Sequence, residues 1–380
     1  MAGIYLHIPF CRQACHYCDF HFATSHRQLE PMVNALIQEL ESRKDYLEDA
    51  PVETIYFGGG TPSLLEPKHV DRIFETIFRL FPVVERPEIT LEANPDDLKG
   101  EYLKFLTESP VNRLSIGVQS FLEEDLKTMN RAHSAAEAHA CIDKCRDAGF
   151  DDLSIDLMYG LPDRTKADWI ENLEKALQYR PEHLSAYCLT VETGTALAHQ
   201  VKKGKVTPAD DQAAKEQMAE LTRQFEAAGY EHYEISNLAR EGRYARHNTA
   251  YWFGKSYLGI GPSAHSFNGQ SRQWNVANNV HYLKALNAGE SPAEKEELTF
   301  TDRFNERVLL SLRTIWGLDL ENIERDFGKT ALHHLRKESR FYLQKGHLEE
   351  RENRFFVTSE GKSMADRIAS DLFALENDLL

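Results

Sequence analysis

Hydrophobic and polar residues follow two recurring patterns along the first half of the chain. Short apolar runs rich in β-branched residues predict strands, and stretches with apolar residues at helical spacing lie between them. The predicted strands are Ile4–Ile8, Thr54–Phe57, Ile89–Glu92, Arg113–Ile116, Leu153–Asp156 and Leu184–Leu189. The predicted helices are Met32–Lys44, Lys68–Phe81, Glu101–Leu106, Ala135–Ala148 and Ala167–Gln178. This alternation predicts an α/β fold with a parallel sheet and crossover helices, closed or partly closed as a barrel.

The pattern changes in the second half. Ala209–Ala228 has helical spacing, and Tyr230–Asn279 is rich in Gly, Asn, His and aromatic residues, which we interpret as functional loops. From Thr299 onward, short amphipathic helices precede two apolar segments around a turn, which predicts a small, mainly helical, winged-helix-like domain. We therefore expect a barrel over residues 1–235, a connecting region rich in His, Asn and aromatics over 236–295, and the small domain over 296–380.

The composition is that of an ordinary globular protein. The chain has 380 residues, of which 42% are hydrophobic and 27% charged. Its 44 Lys and Arg against 60 Asp and Glu give a net charge of −16, which argues against nucleic-acid binding through a broad basic surface. Neither a secretory signal nor an apolar run of transmembrane length is evident, so we expect a cytoplasmic protein.

Three of the six cysteines lie within eight residues, directly after the first predicted strand. Cys11, Cys15 and Cys18 have the spacing C-x3-C-x2-C, one ligand short of a closed four-cysteine site. Held by three thiolates, a [4Fe–4S] cluster keeps one iron free of protein ligands. That iron can bind the amino and carboxylate groups of S-adenosylmethionine (SAM).

Two other roles for these cysteines remain open from the residues alone. Cys15 and Cys18 have the spacing of a redox pair. A nearby histidine could also complete a zinc site, and the candidates are His7, His16 and His21. The remaining cysteines, Cys141, Cys145 and Cys188, are predicted to be small buried residues.

A second motif, Gly58-Gly59-Gly60-Thr61-Pro62, follows the second predicted strand. Glycines let the backbone approach a ligand closely, so the motif is a candidate cofactor cradle. The alternative is a tight turn between a strand and a helix.

Polar residues stand at or just past three successive strand ends: Glu92, Gln119 and Asp156. Such groups are costly to bury unless paired, and in a barrel these ends meet at one mouth. We expect a shared ligand, with Glu92 and Asp156 binding ribose hydroxyls or an amino group and Arg131 binding a carboxylate. The alternative is helix capping or hydrogen bonding within loops.

The segment His247-Asn248-Thr249-Ala250-Tyr251-Trp252 is the best candidate outside the barrel strands. Histidine is a common axial ligand of haem, and aromatic rings suit a porphyrin face. A histidine beside two aromatic residues is also compatible with an ordinary structural role.

Together these motifs resemble the radical SAM superfamily, and within it the branch of oxygen-independent coproporphyrinogen III dehydrogenase and the HemW-type haem chaperones. The resemblance runs through most of the chain and implies a partial (β/α)6 barrel. The segments that carry it, besides the cysteine triplet, are Tyr5–Cys11, Gly58–Pro62, Gly117–Ser120, Asp156–Pro162 and His247–Trp252.

The resemblance also implies roles for individual residues. Cys11, Cys15 and Cys18 would hold the [4Fe–4S] cluster, and His247 would bind haem. The positions that match SAM contacts of the family, or lie beside them, are Tyr5, Tyr17, Gly59, Gly60, Thr61, Glu92, Gln119, Arg131 and Asp156.

One departure separates the two branches. The dehydrogenase carries a further cysteine two residues after the third, where this chain has Phe20. The resemblance therefore implies a chaperone that binds haem and passes it to acceptor proteins, including those of the respiratory chain. The net charge argues against nucleic acid as a partner. Peripheral membrane association and a homodimer remain open, and the alternative functions are the dehydrogenase and a zinc-stabilised binding module.

Overall fold

A computed structural model describes residues 2–375 and 378–379 of the chain. Its strands are β1 Ala2–Ile8, β2 Val52–Gly59, β3 Val83–Ala93, β4 Arg113–Gln119, β5 Leu153–Tyr159, β6 His183–Cys188, β7 Tyr230–His232, β8 Asn237–Arg240, β9 Ser256–Ile260, β10 His265–Phe267, β11 Ser271–Asn275, β12 Ala293–Glu297, β13 Leu318–Asp319, β14 Leu348–Arg351 and β15 Arg354–Val357.

The helices lie between and after these strands. They are α1 Leu29–Ser42, α2 Pro67–Leu80, α3 Gly100–Glu108, α4 Glu123–Thr128, α5 Ala135–Asp147, α6 Lys166–Gln178, α7 Ala196–Lys202, α8 Asp211–Ala227, α9 Arg246–Trp252, α10 Asn279–Asn287, α11 Phe300–Leu312, α12 Leu320–Glu338, α13 Arg340–Lys345 and α14 Ala365–Asp371. All six predicted strands of the first half are present, each overlapping its predicted range.

The first six strands form the parallel centre of a twelve-stranded sheet. β1 to β6 lie side by side in chain order, with Ile4 opposite Ile55 and Leu114 opposite Leu153. At the ends of the sheet, β9 to β12 continue from β1, and β8 and β7 continue from β6. The predicted α/β fold with a partial (β/α)6 barrel is confirmed, and the described strands form an open sheet.

Apolar and polar side chains alternate along the parallel strands, which explains why one face of the sheet packs on the helices and the other is polar. Ile4, Leu6 and Ile8 of β1 are buried in the core beneath the helices. Tyr5 and His7, between them, line a cavity on the opposite, concave face. The same alternation recurs along β2 to β6, because successive side chains of a strand point to opposite faces. The concave face is therefore polar, and the functional groups lie there.

The expectation that Tyr230–Asn279 consists of loops is wrong. This segment contains β7, β8, α9, β9, β10 and β11. β9 pairs in parallel with β1, and β8 pairs antiparallel with β6, so the segment extends both ends of the sheet. Its strands are only three to five residues long, too short for a clear alternation of apolar and polar positions.

The C-terminal part of the chain has a second hydrophobic core. Phe304, Leu335 and Phe355 are buried there, separately from the core beneath the barrel helices. Helices α11 to α14 surround a small sheet in the order β13-β15-β14. The helical C-terminal unit is confirmed, with one short strand more than the sequence indicates. In the described residues, no helix is long and apolar enough to cross a membrane.

Candidate functional site

The three clustered cysteines lie on the loop between β1 and α1, at the carboxyl end of β1. Backbone bonds fix this loop: the Cys11 N–H donates to the Ala23 carbonyl at 3.1 Å, and the His16 N–H donates to the Met129 carbonyl at 3.1 Å. Arg12 Nε also donates to Asp97 Oδ1 at 2.9 Å. All three thiols are partly exposed. The loop is thus held at both ends while its cysteines stay accessible.

Two polar side chains contact the thiols. Thr61 Oγ1 donates to Cys11 Sγ at 3.4 Å, and Arg131 Nη1 donates to Cys15 Sγ at 3.3 Å. Burial raises the pKa of Cys11 to about 11 and that of Cys18 to about 12, so iron must displace thiol protons as it binds.

The donor set fits a [4Fe–4S] cluster. In the part of the chain that the structure describes, no three His, Cys, Asp or Glu side chains come close enough to hold a single metal ion. Three cysteines on one loop supply the thiolate ligands that the irons of such a cluster take. Cationic Arg131 beside Cys15 also suits a cluster that carries thiolate charge.

The glycine motif packs against the start of the cysteine loop. Gly59 has a φ of +101°, and a Cβ there would lie 2.5 Å from His7 Nδ1. A Cβ on Gly60 would lie 2.6 Å from the Phe10 carbonyl oxygen. The Thr61 N–H donates to that same oxygen at 2.7 Å. Close packing against β1 and against the backbone that follows it thus favours glycine at both positions, with or without a ligand.

Arg131 and Gln119 meet above Gly117, beside the cysteines. Arg131 Nη2 donates to Asn94 Oδ1 at 2.7 Å and to the Gly117 carbonyl at 2.8 Å. A Cβ on Gly117 would lie 3.1 Å from Gln119 Nε2. Gln119 has a φ of +63°, a left-handed conformation that non-glycine residues adopt mainly where structure imposes it. Arg131 Nε is buried without a hydrogen-bond partner among the described residues, so a donor remains for a ligand.

Glu92 and Asp156 form a second polar group, on the concave face of β3 and β5. Tyr56 OH donates to Glu92 Oε1 at 2.7 Å. Burial raises the pKa of Glu92 to about 7, and the charge of Asp156 contributes to this rise. Ser115 Oγ donates to Asp156 at 3.2 Å, while burial raises the pKa of Asp156 above its usual range. The Glu92 carboxyl can therefore change its protonation state near neutral pH.

Two predicted tyrosines lie beside these groups. Tyr5 stacks on Tyr56, with ring centroids 6.0 Å apart, and its OH lies 3.3 Å from His7 Nδ1. Tyr17 packs on the apolar cluster of Met129 and Met158, and burial raises the pKa of its hydroxyl. Strand-end residues therefore divide into two groups: Gln119 with Arg131, and Glu92 with Asp156.

His247 lies in the first turn of α9, close to β1, β2 and β3. Glu88 Oε1 accepts from the His247 N–H at 2.9 Å, and Glu88 Oε2 accepts from the Arg246 N–H at 2.7 Å. The His247 ring lies 5.1 Å from the Tyr56 ring, and its Nδ1 lies 2.8 Å from Thr54 Oγ1. Burial, helped by the charge of Arg113, lowers the pKa of His247 to about 4, so the imidazole is neutral at pH 7.

A cavity of about 590 Å³ opens beside His247 on the concave face of the sheet. Tyr5 and His7 line one side, and Tyr251, Trp252 and Tyr257 add aromatic rings. Phe20, which is 67% exposed, reaches the same cavity from the cysteine loop. The cavity therefore joins the surroundings of the cysteines to those of His247.

Sequence reasoning missed four residues of this site: Thr54, Tyr56, Glu88 and Asn94. Thr54, Tyr56 and Glu88 occupy concave-face positions of β2 and β3, between the buried residues Ile55, Phe57 and Ile89. Polar residues at every second strand position were the available signal. The expectation that Cys188 is buried is wrong, because Cys188 is the last residue of β6 and is exposed. Cys141 and Cys145 are buried as predicted.

Comparison with known proteins gives two sequence matches to families. The Radical SAM superfamily matches residues 5–176, and the HemN C-terminal domain matches residues 298–363. In a solved structure, coproporphyrinogen III oxidase (HemN) from Escherichia coli, described as a radical SAM enzyme, has a TM-score of 0.86. The match covers 98% of this chain and 90% of that one at 24% identity, so it shows a shared fold.

Curated relatives match the chain along almost its whole length. "Heme chaperone HemW" of Bacillus subtilis (strain 168) is 32% identical over 371 residues, which cover 97% of this chain and 98% of the relative. "Heme chaperone HemW" of Mycobacterium tuberculosis (strain ATCC 25618 / H37Rv) is 34% identical, over 97% and 94%. The chain belongs to the HemW family of the radical SAM superfamily.

Proposed function

We propose that this chain is a haem chaperone, which binds haem in the large cavity and passes it to acceptor proteins. The curated relatives that match nearly the whole chain are named heme chaperone. The chain would carry a [4Fe–4S] cluster and SAM on the same concave face. Haem is the cargo, and the cluster and SAM are resident cofactors.

The state of His247 is the observation that carries the proposal. Thr54 Oγ1 occupies Nδ1, so Nε2 is the ring nitrogen left for iron. A lowered pKa keeps the ring neutral, the form in which imidazole binds metals. Histidines that bind metals usually have their other nitrogen fixed in this way by a neighbouring group. Glu88 holds the helix turn that carries the ring.

The cavity walls suit a flat apolar macrocycle. Tyr251, Trp252 and Tyr257 supply aromatic surface around His247. Phe20 adds an exposed apolar ring at the position where the dehydrogenase branch has a further cysteine. This substitution exchanges a reactive thiol for a surface that can pack on haem, which favours binding over porphyrinogen oxidation.

Cys11, Cys15 and Cys18 would hold the cluster, with Thr61 and Arg131 as hydrogen-bond donors to two of the sulfurs. The free Nε of Arg131 suits the carboxylate of SAM. Glu92 and Asp156 suit its ribose hydroxyls or amino group, and the other proposed contacts are Tyr5, Tyr17, Gly59, Gly60, Thr61 and Gln119. When bound, cluster and SAM together supply one-electron chemistry.

Delivery of haem breaks no carbon–hydrogen bond. The proposed function therefore does not require SAM to be cleaved. An assay for 5′-deoxyadenosine measures whether cleavage occurs. Acceptors would be haem proteins, including those of the respiratory chain.

A spectroscopic titration with haem tests the proposal. We expect the cluster-loaded chain to bind haem with the absorption of a histidine-ligated iron, and His247→Ala to lose that signature while retaining the cluster. His281→Ala is the control, since His281 is an exposed histidine on α10 that does not line the cavity. Equal haem spectra for the wild type and His247→Ala would contradict the proposal.

A further inference from the structure

Lys255 is a cation of the haem cavity without an assigned role. It follows α9 and is exposed. Among the described residues that line the large cavity, it is the one lysine or arginine, and it also lines a neighbouring cavity of about 250 Å³. In the described part of the chain, its ammonium group lies within ion-pair distance of no carboxylate. A free cation thus stands at the edge of a mainly aromatic cavity.

The backbone around Lys255 fixes where this cation stands. Gly254, the second residue after α9, has a φ of +63°, and the Lys255 N–H donates to the Ala250 carbonyl at 3.0 Å. β9 begins at the next residue and pairs with β1. The root of the Lys255 side chain is therefore held between a helix end and a strand.

Lys255 and His247 line the same cavity from opposite ends of α9. His247 lies in the first turn of the helix, and Lys255 lies three residues after its last residue, Trp252. The helix rises about 8 Å from His247 to Trp252, at 1.5 Å per residue. A haem likewise carries its iron and its propionate carboxylates at separate places, so two separate contacts along one cavity suit it. A lysine stem can follow apolar surface while its ammonium group stays at the edge.

Among the described ionisable side chains that line the cavity, Lys255 is the one that attracts anions. Glu234 is a buried carboxyl whose pKa burial raises above its usual range, and it lies on the side of β7 and β8. Burial lowers the pKa of His7 to about 4 and also lowers the pKa of His265, so both of these rings are mainly neutral at pH 7. An anionic substituent entering this cavity therefore meets positive charge at Lys255.

We propose that Lys255 binds the propionate carboxylates of haem at the edge of the cavity while His247 binds the iron. This inference rests on the proposed function, because it requires haem in the cavity. It makes Lys255 a residue that selects carboxylate-bearing tetrapyrroles over neutral ones. A charge-assisted contact of this kind contributes roughly a tenfold difference in affinity or more.

A comparison of haem with haem dimethyl ester tests the proposal, because esterification removes the negative charges and leaves the iron unchanged. We expect the full-length wild type to bind haem about tenfold more tightly than the diester in absorbance titrations. Lys255→Gln should bring the ratio close to one, and Lys255→Arg should retain it. Lys203→Gln is the matched control, since Lys203 also follows a seven-residue helix, α7, and lines neither cavity.

Three results would overturn the proposal. The first is equal affinity of the wild type for haem and its diester. This comparison uses no variant, so it tests the proposal even if Lys255→Gln fails to fold. The second is a ratio that stays unchanged in Lys255→Gln. In both cases a His247-dependent haem spectrum would leave the proposed function standing. The third is an equal loss of haem and diester affinity in Lys255→Gln, which would mean that Lys255 only stabilises the end of α9.

Discussion

Thr54 Oγ1 lies 2.8 Å from His247 Nδ1 and thereby determines which nitrogen of the ring can face the cavity. The two residues are 193 positions apart in sequence, and β2 and α9 bring them together. Because Nδ1 is occupied, Nε2 is available to haem iron. The orientation of the His247 ring is thus fixed by a side chain on a different element.

The first prediction concerns this contact. Thr54→Val keeps the shape of the side chain but removes the oxygen, and we expect haem affinity to fall by about tenfold, as for other partners of metal-binding histidines. Thr54→Ser should restore it. Thr90→Val is a matched control, since Thr90 is a buried threonine on β3 whose Oγ1 has no hydrogen-bond partner among the described residues. Haem titration of Thr54→Val with wild-type affinity would contradict the role of Thr54.

The second prediction concerns pH. The pKa of His247 is lowered from 6.5 to about 4, so protons compete with iron for its ring only near pH 4. We expect haem affinity to stay level from pH 8 to about pH 5, whereas an ordinary histidine would lose about tenfold by pH 5.5. Stability also falls with pH over this range. The unfolded chain takes up a proton on His247 near pH 6.5, whereas the folded chain takes it up only near pH 4, so the free energy of unfolding decreases as pH falls from 6.5 towards 4. A loss of haem affinity with a midpoint near pH 6.5 would show that the ring is not desolvated.

A third prediction assigns the cluster. Cys11→Ala, Cys15→Ala and Cys18→Ala should each abolish or degrade the iron–sulfur absorption after anaerobic reconstitution, with the far-ultraviolet circular dichroism unchanged. Cys188→Ala and Cys141→Ala are exposed and buried controls, and both should keep the full absorption. A complete [4Fe–4S] spectrum from Cys18→Ala would refute the three-cysteine site. A colourless protein with stoichiometric zinc would favour the zinc-stabilised alternative.

The fourth prediction concerns SAM. Asp156→Ala and Glu92→Ala should each weaken SAM binding by roughly 1–3 kcal/mol, the cost of leaving a partner unpaired. Calorimetric titration of the cluster-loaded protein measures this change. Asp147→Ala, at an exposed carboxylate of α5, should bind SAM as the wild type does. Unchanged affinity in both Asp156→Ala and Glu92→Ala would place the cofactor elsewhere.

The sequence was informative where local pattern determines structure. Apolar runs such as Ile4–Ile8 predicted the strands of the barrel, and the spacing from Cys11 to Cys18 predicted a ligand loop. Contacts such as those of Thr54 and Glu88 with α9 join distant segments, so no local spacing indicates them. β7 and β10 have three residues each, too few for a periodicity to appear.

The distinction between chaperone and dehydrogenase depends on Phe20 and His247, which line the same cavity. Cluster-loaded protein with SAM and a reductant, given haem and coproporphyrinogen III in separate reactions, tests this distinction most directly. We expect haem binding that is lost in His247→Ala, and no decarboxylation of coproporphyrinogen III. Production of protoporphyrinogen by the wild-type protein would contradict the chaperone function.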